Sequence, residues 1–169
     1  MQRTLPALLG LSLLLASCGQ PGVPTQPGQP GQPSAGAPDR TTDTTMAAPV
    51  TITPGQTYGG VIAGQPRDFD YYIFDAAAGD RLQIDVKAPA DSTLDPVVRV
   101  YLNDGWVLLE KDDDGAYNPS DNSLDAQVLF NADKTGRYAI EVTSFKLVND
   151  PAATDDNAKN LYTVTLNRR

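Results

Sequence analysis

The chain has no histidine, one cysteine (Cys18), one tryptophan (Trp106) and only two glutamates, Glu110 and Glu141. Each shortage closes a class of chemistry. Without imidazole there is no Ser–His–Asp or Cys–His relay and no His-containing zinc site. A lone cysteine has no partner for an internal disulfide. Carboxylate pairs of the glycosidase kind stay open to this composition, but no pair stands out, so the expectation is a protein that is not an enzyme. Basic residues are also scarce, 13 against 21 acidic, for a net charge of −8. Nucleic acid and anionic lipid headgroups, both bound through Lys/Arg patches, are therefore not expected partners.

What the chain does hold is aspartate, nineteen residues of it. Asp is depleted in helices and strands and favoured in turns, which predicts many loops. At 169 residues the chain has room for one domain plus whatever lies outside the fold.

The first residues, MQRTLPALLGLSLLLASCGQ, place Arg3 before an apolar run over residues 5–16. That run is too short to span a bilayer as a stable helix and reads as a secretory signal over residues 1–17. Its end, Leu15-Ala16-Ser17-Cys18, resembles the lipobox of bacterial lipoproteins. The resemblance implies that Cys18 becomes the lipidated N-terminus of the mature chain. Each buried methylene of such an anchor contributes about 0.8 kcal/mol, and two or more acyl chains hold a protein at the membrane. Gly19, not being Asp, implies the outer membrane where the organism has one.

Residues 18–49 continue with recurring QPG and GQP triplets and almost nothing apolar. Proline removes donors and glycine raises the cost of ordering, so a disordered linker is expected. As a coil it would span about 30 Å, and as polyproline II about 90 Å, enough to hold a folded domain clear of a membrane surface.

From residue 50 to 169 the pattern becomes short alternating runs. Strands are expected over residues 57–63, 69–74, 81–87, 97–102, 106–110, 126–130, 137–144 and 161–167. The clearest is RLQIDVK, with Leu82, Ile84 and Val86 on one face. Turn signals separate the runs: Ala78-Gly79-Asp80, Asn103-Asp104-Gly105, Asp114-Gly115 and Lys134-Thr135-Gly136. No segment beyond the leader shows a helical period. Seven to nine short strands predict an all-β fold, an antiparallel β-sandwich or jelly roll, preceded by the linker.

Several elements of this region fall in a familiar order: Gly60-Val61-Ile62, Asp70-Tyr71-Tyr72-Ile73-Phe74, Ala78-Gly79-Asp80-Arg81-Leu82, Leu94-Asp95-Pro96-Val97-Val98, Asp112-Asp113-Asp114 and Gly136-Arg137-Tyr138-Ala139-Ile140. Together they resemble the bacterial pre-peptidase C-terminal domain over residues 57–167. The resemblance implies a non-catalytic accessory module, of a kind that in related collagenase domains binds collagen and calcium. Its motifs mark a fold and not an active site.

Five aspartates and Glu110 lie within residues 108–127. Glu110, Asp112, Asp114, Gly115 and Asp121 fall at positions 1, 3, 5, 6 and 12 of a looped calcium register. Yet the first ligand is Glu, the last is Asp, and the flanks read as strands, so an EF-hand is not expected. Two readings stay open for Asp112, Asp113 and Asp114, with Asp95, Asp121 and Asp125 approaching the same end of the sandwich. One is a structural Ca²⁺ clamp; the other is a solvated acidic turn. Asp150 and Asp155-Asp156-Asn157 read as a solvated loop. Trp106, beside a turn, offers a candidate ligand contact, against core packing.

The functional expectation is a lipid-anchored envelope protein that joins the membrane through Cys18. It would display a binding module for an extracellular or periplasmic protein or polysaccharide. The alternative is a structural subunit of an envelope or surface-layer assembly.

Overall fold

The computed structural model describes residues 48–102, 107–116 and 123–169. The leader, Cys18, nearly all of the linker, the turn at 103–105, Trp106 and Asp121 lie outside the described residues.

The described chain is almost entirely β. Its strands are β1 (Val50–Thr51), β2 (Thr57–Val61), β3 (Asp70–Ala76), β4 (Arg81–Lys87), β5 (Pro96–Leu102), β6 (Val107–Asp112), β7 (Ala126–Asn131), β8 (Gly136–Ser144) and β9 (Leu161–Arg168). They form two sheets, ordered β1-β3-β8-β5-β6 and β2-β9-β4-β7. Period-two alternation explains how the sheets meet. Tyr72 and Phe74 of β3, Val98 and Val100 of β5, and Ile140 of β8 face Leu82, Ile84 and Val86 of β4 and Val164 and Leu166 of β9 in one buried core. In β4 the exposed and buried positions alternate along the whole strand, as its sequence predicts.

Two features depart from the expected pattern. The sandwich is antiparallel except at β1, which pairs parallel with β3 through Val50 opposite Tyr72 and Thr51 opposite Ile73. A two-residue strand is too short to show a period. One helical turn, α1 (Phe145–Asn149), follows β8, where no helix was expected. The Ser144 hydroxyl caps it by accepting from the Leu147 amide, and Leu147 is its one buried side chain. Five residues are likewise below the length at which a helical period can be read.

Two of the expected turns behave as their sequences suggest. In Ala78-Gly79-Asp80, Gly79 takes φ +90°, a conformation costly for residues with a Cβ, and the Asp80 carboxylate accepts from the Ala77 amide at 2.9 Å. At Lys134-Thr135-Gly136 the Tyr138 hydroxyl reaches back to donate to the Lys134 carbonyl at 2.6 Å, which pins the corner into β8.

Candidate functional site

Of the aspartates singled out by sequence, Asp95, Asp112, Asp113, Asp114 and Asp125 are among the described residues, and several are committed to backbone. Asp112 closes β6, and its Oδ2 accepts from the Gly115 amide at 2.6 Å and from the Gln127 amide of β7 at 2.9 Å. It thus fixes the turn after β6 and ties the edges of the two sheets together. Asp125 Oδ1 accepts from the Ala88 amide at 3.0 Å, and its carbonyl accepts from the Ala116 amide at 3.0 Å. Asp113 Oδ1 accepts from the neighbouring Asp114 amide at an exposed position.

Asp95, just before β5, is different. Its Oδ1 is buried without a hydrogen-bond partner. Burial raises its carboxyl above the ordinary aspartate range, and the charges of Asp114 and then Asp113 push it further. Asp95, Asp113 and Asp114 therefore share one electrostatic neighbourhood, and Asp95 and Asp125 line one hollow of about 350 Å³ together with Leu94 and Leu124. This is the kind of place a cation would relieve. Among the described residues, however, no three acidic side chains are arranged to hold a metal ion.

A second feature lies on the open side of the sandwich, where β6 and β7 are the terminal strands of their sheets. Their edges are tied at Asp112 and Gln127, and beyond that tie a groove of about 500 Å³ runs between them. Leu102, Phe130 and Tyr138 line it together with Val107, Leu109 and Leu129. Phe130 and Tyr138 are buried and meet edge to face, with ring centres 5.0 Å apart. Val107, Leu108 and Leu109 are consecutive and exposed at 53, 47 and 40 %, and Leu129 at 51 %. The whole of β6 up to Lys111 is exposed, and within it the register shifts at a bulge: Val100 pairs with Glu110 and Tyr101 with Leu108, leaving Leu109 without an opposite residue on β5.

Sequence reasoning missed two polar constructions. Arg67 donates from Nη1 to the carbonyls of Asp150, Pro151 and Ala153 and from Nη2 to that of Leu147, all within 3.0 Å. It gathers the segment after α1 onto the loop before β3. Beside it, the fully buried Asp68 accepts from the Ala63 amide, and Asp156 accepts from the Gly64 amide. The Asp155–Asn157 stretch, expected to be a solvated loop, is thus partly engaged: Asp155 Oδ1 accepts from the Asn160 side chain as well. On the outward face of the five-stranded sheet, Glu141 sits cross-strand from Tyr71 and Arg99. It pairs with Arg99 at 2.8 Å and accepts from the Tyr71 and Tyr101 hydroxyls. Burial, with Glu141 alongside, pushes both phenols up. No periodic or turn signal announces either construction; only the rarity of glutamate in the chain marks Glu141.

Residues 68–144 match the family described as bacterial pre-peptidase C-terminal domain, which takes in β3 through β8. The chain is similar in structure to the pre-peptidase C-terminal domain of a collagenase from Bacillus anthracis, with a TM-score of 0.50 and 16% identity, over 73% of this chain and 99% of that one. It is also similar to PliG of Salmonella Typhimurium, a periplasmic inhibitor of g-type lysozyme, with a TM-score of 0.43 and 14% identity, over 71% and 97% of the two chains. A probable subtilase-type serine protease of Deinococcus radiodurans is 32% identical over 132 residues, which is 72% of this chain and 17% of that protein. The chain thus spans about a sixth of the length of that relative.

Proposed function

We propose that this chain is a lipid-anchored cell-envelope protein that displays a non-catalytic sandwich of the pre-peptidase C-terminal type as a binding module for protein or polysaccharide. One observation carries the binding reading: the unbroken run of exposed apolar side chains, Val107, Leu108 and Leu109, on a terminal strand beside an apolar groove. On a strongly acidic chain such a patch is costly in water and marks a surface that is covered in use. The non-catalytic reading is supported by the absence of histidine, which leaves the chain without the relay of a serine protease.

The anchor rests on the lipobox-like Leu15-Ala16-Ser17-Cys18. Fatty-acid labelling of cells expressing the full chain is expected to mark the protein, and Cys18→Ser is expected to abolish the mark and release the protein from the membrane fraction. An unlabelled wild-type chain would overturn the anchor. An envelope location, and the outer membrane where there is one, stands on the same experiment.

Calcium belongs to the proposal as a stiffener of the acidic end. Asp95, with its unpartnered oxygen, would be joined by Asp113 and Asp114, and by Asp121 from beyond the described residues. Asp112 and Asp125 would shape the loops around the ion through their amide bonds. Millimolar Ca²⁺ is expected to raise the melting temperature over that in EDTA, and an unchanged melt would remove the metal from the proposal. Trp106 is retained as a ligand contact, to be tested by quenching of its fluorescence on binding.

A further inference from the structure

We infer that the groove between β6 and β7 is a receptor for an extended, lysine- or arginine-flanked polypeptide segment, which adds as a strand to the outer edge of β6 and seats an apolar side chain over Phe130 and Tyr138. This rests on the binding-module reading and names the class of partner.

The shape of the site selects a strand. Among the described residues β6 is hydrogen-bonded to β5 on one side and is the last strand of its sheet, so its other edge presents backbone donors and acceptors at strand spacing. Strand addition satisfies that edge and brings every second side chain of the guest to the same face. The hollow beneath, about 500 Å³, exceeds what one side chain fills and lies within the range of ligand pockets. Its lining is aliphatic and aromatic where the guest enters deepest, with Glu110, Asp133, Lys134 and Asn131 around it. The exposed Leu109 and Leu129 stand on the two opposite strands, placed to close over an inserted apolar group.

Charge selects the flanks. Glu110 and Asp133 line the groove beside Lys134, and Asp112, Asp113 and Asp114 follow at and beyond the end of β6, against Lys111 and Arg169, whose guanidinium donates to the lining Asn131. That excess of carboxylate attracts a basic segment. It also disfavours the other simple occupant, a second copy of this chain, since pairing two β6 edges would bring like charges together on a protein of net charge −8.

The full chain carrying Cys18→Ser, which removes the anchoring thiol, is titrated by calorimetry with three synthetic peptides. One is a lysine-flanked alternation of valine and threonine; the second has a proline at its centre; the third has glutamate flanks. Saturable binding of the first is expected, with about a tenfold or greater loss for each of the other two. Leu129→Asn and Leu109→Asn are each expected to weaken the first peptide about tenfold or more. Both residues are substantially exposed, so the fold does not depend on them, and an unchanged melting temperature establishes that for each variant. Absence of binding, equal binding of the proline peptide, or indifference to both substitutions would overturn the inference. So would a dimer in light scattering that either substitution dissociates, since a second copy would then own the groove. The broader reading fails separately, if the wild-type domain retains no envelope protein or polysaccharide at all.

Discussion

The hydroxyl of Tyr162, on β9, donates to the Asp70 carboxyl group, on β3, at 2.6 Å, and so joins the two sheets through the middle of the core. The Tyr72 hydroxyl lies 2.7 Å from that of Tyr162 and extends the bridge. Burial, then the neighbouring Tyr72 and Asp70, pushes the Tyr162 phenol far up, so it stays a donor at all ordinary pH. Gly60, cross-strand from Tyr162, makes room for the ring: a Cβ there would overlap it.

Tyr162→Phe is therefore expected to destabilise the domain by about 2–4 kcal/mol, because a buried carboxyl group loses its short bond. Adding Asp70→Asn should cost less than the sum of the two single changes. Denaturant melts of the four chains of this cycle check the coupling, and simple additivity would mean that the two side chains act independently.

Asp112 and Asp113 are adjacent, alike in charge, and unequal in role. Asp112→Ala removes the acceptor for both the Gly115 and Gln127 amides, with an expected loss of about 2 kcal/mol. Asp113→Ala loses one exposed local bond and should change stability in calcium-free buffer by less than about 0.5 kcal/mol. Melting both variants in EDTA separates the capping role from any contribution of metal.

These two residues also show where sequence reasoning reaches and where it stops. Strand β4 was legible residue by residue, because one face is core and the other solvent and nothing else competes. The density of aspartates after β6 was legible as a special turn, but not its purpose, since the partner of Asp112 is an amide fifteen positions away. Gly115 reads as the residue of a sharp calcium turn; in the fold a Cβ there would come within 2.7 Å of the Gln127 carbonyl, so closeness to β7 is what demands glycine. The bulge at Leu109 left no mark in the sequence either. The exposed run is legible only once β6 is placed at the end of its sheet, where both faces of the strand meet solvent.

Arg67 carries more of the fold than its position in a loop suggests. Its guanidinium holds four carbonyls between Leu147 and Ala153 and lies 5.9 Å from the centre of the Phe69 ring. Arg67→Ala is expected to cost about 2–4 kcal/mol. Arg67→Lys should recover only part, because an ammonium cannot fan its donors over four acceptors in one plane. Hydrogen exchange should locate the loss, with amides of residues 150–160 exchanging faster while those of β4 stay protected. Uniform acceleration over the whole sandwich would show that Arg67 is not a local clamp.

Asp68 makes stability depend on pH in a direction unusual for an aspartate. It is fully buried, its Oδ1 has no partner, and burial lifts its carboxyl to about 6 despite the amides of Ala63 and Phe69, with Asp156 adding to the rise. The folded value lies above the unfolded one, so the native state binds the proton more tightly. The contribution is complete below about pH 4 and is lost as pH climbs through about 6, a swing on the order of 3 kcal/mol. Asp68→Asn keeps an oxygen for the two amides and removes the charge. It should therefore melt higher than wild type at pH 7–8, and the gap should close towards pH 5. Asp95, raised in the same direction, leaves the variant a shallower slope of the same sign. Melting curves of the two chains from pH 4.5 to 8 decide it: parallel profiles would mean that Asp68 titrates outside this window, and a variant less stable at pH 8 would mean that its carboxylate is needed as an anion.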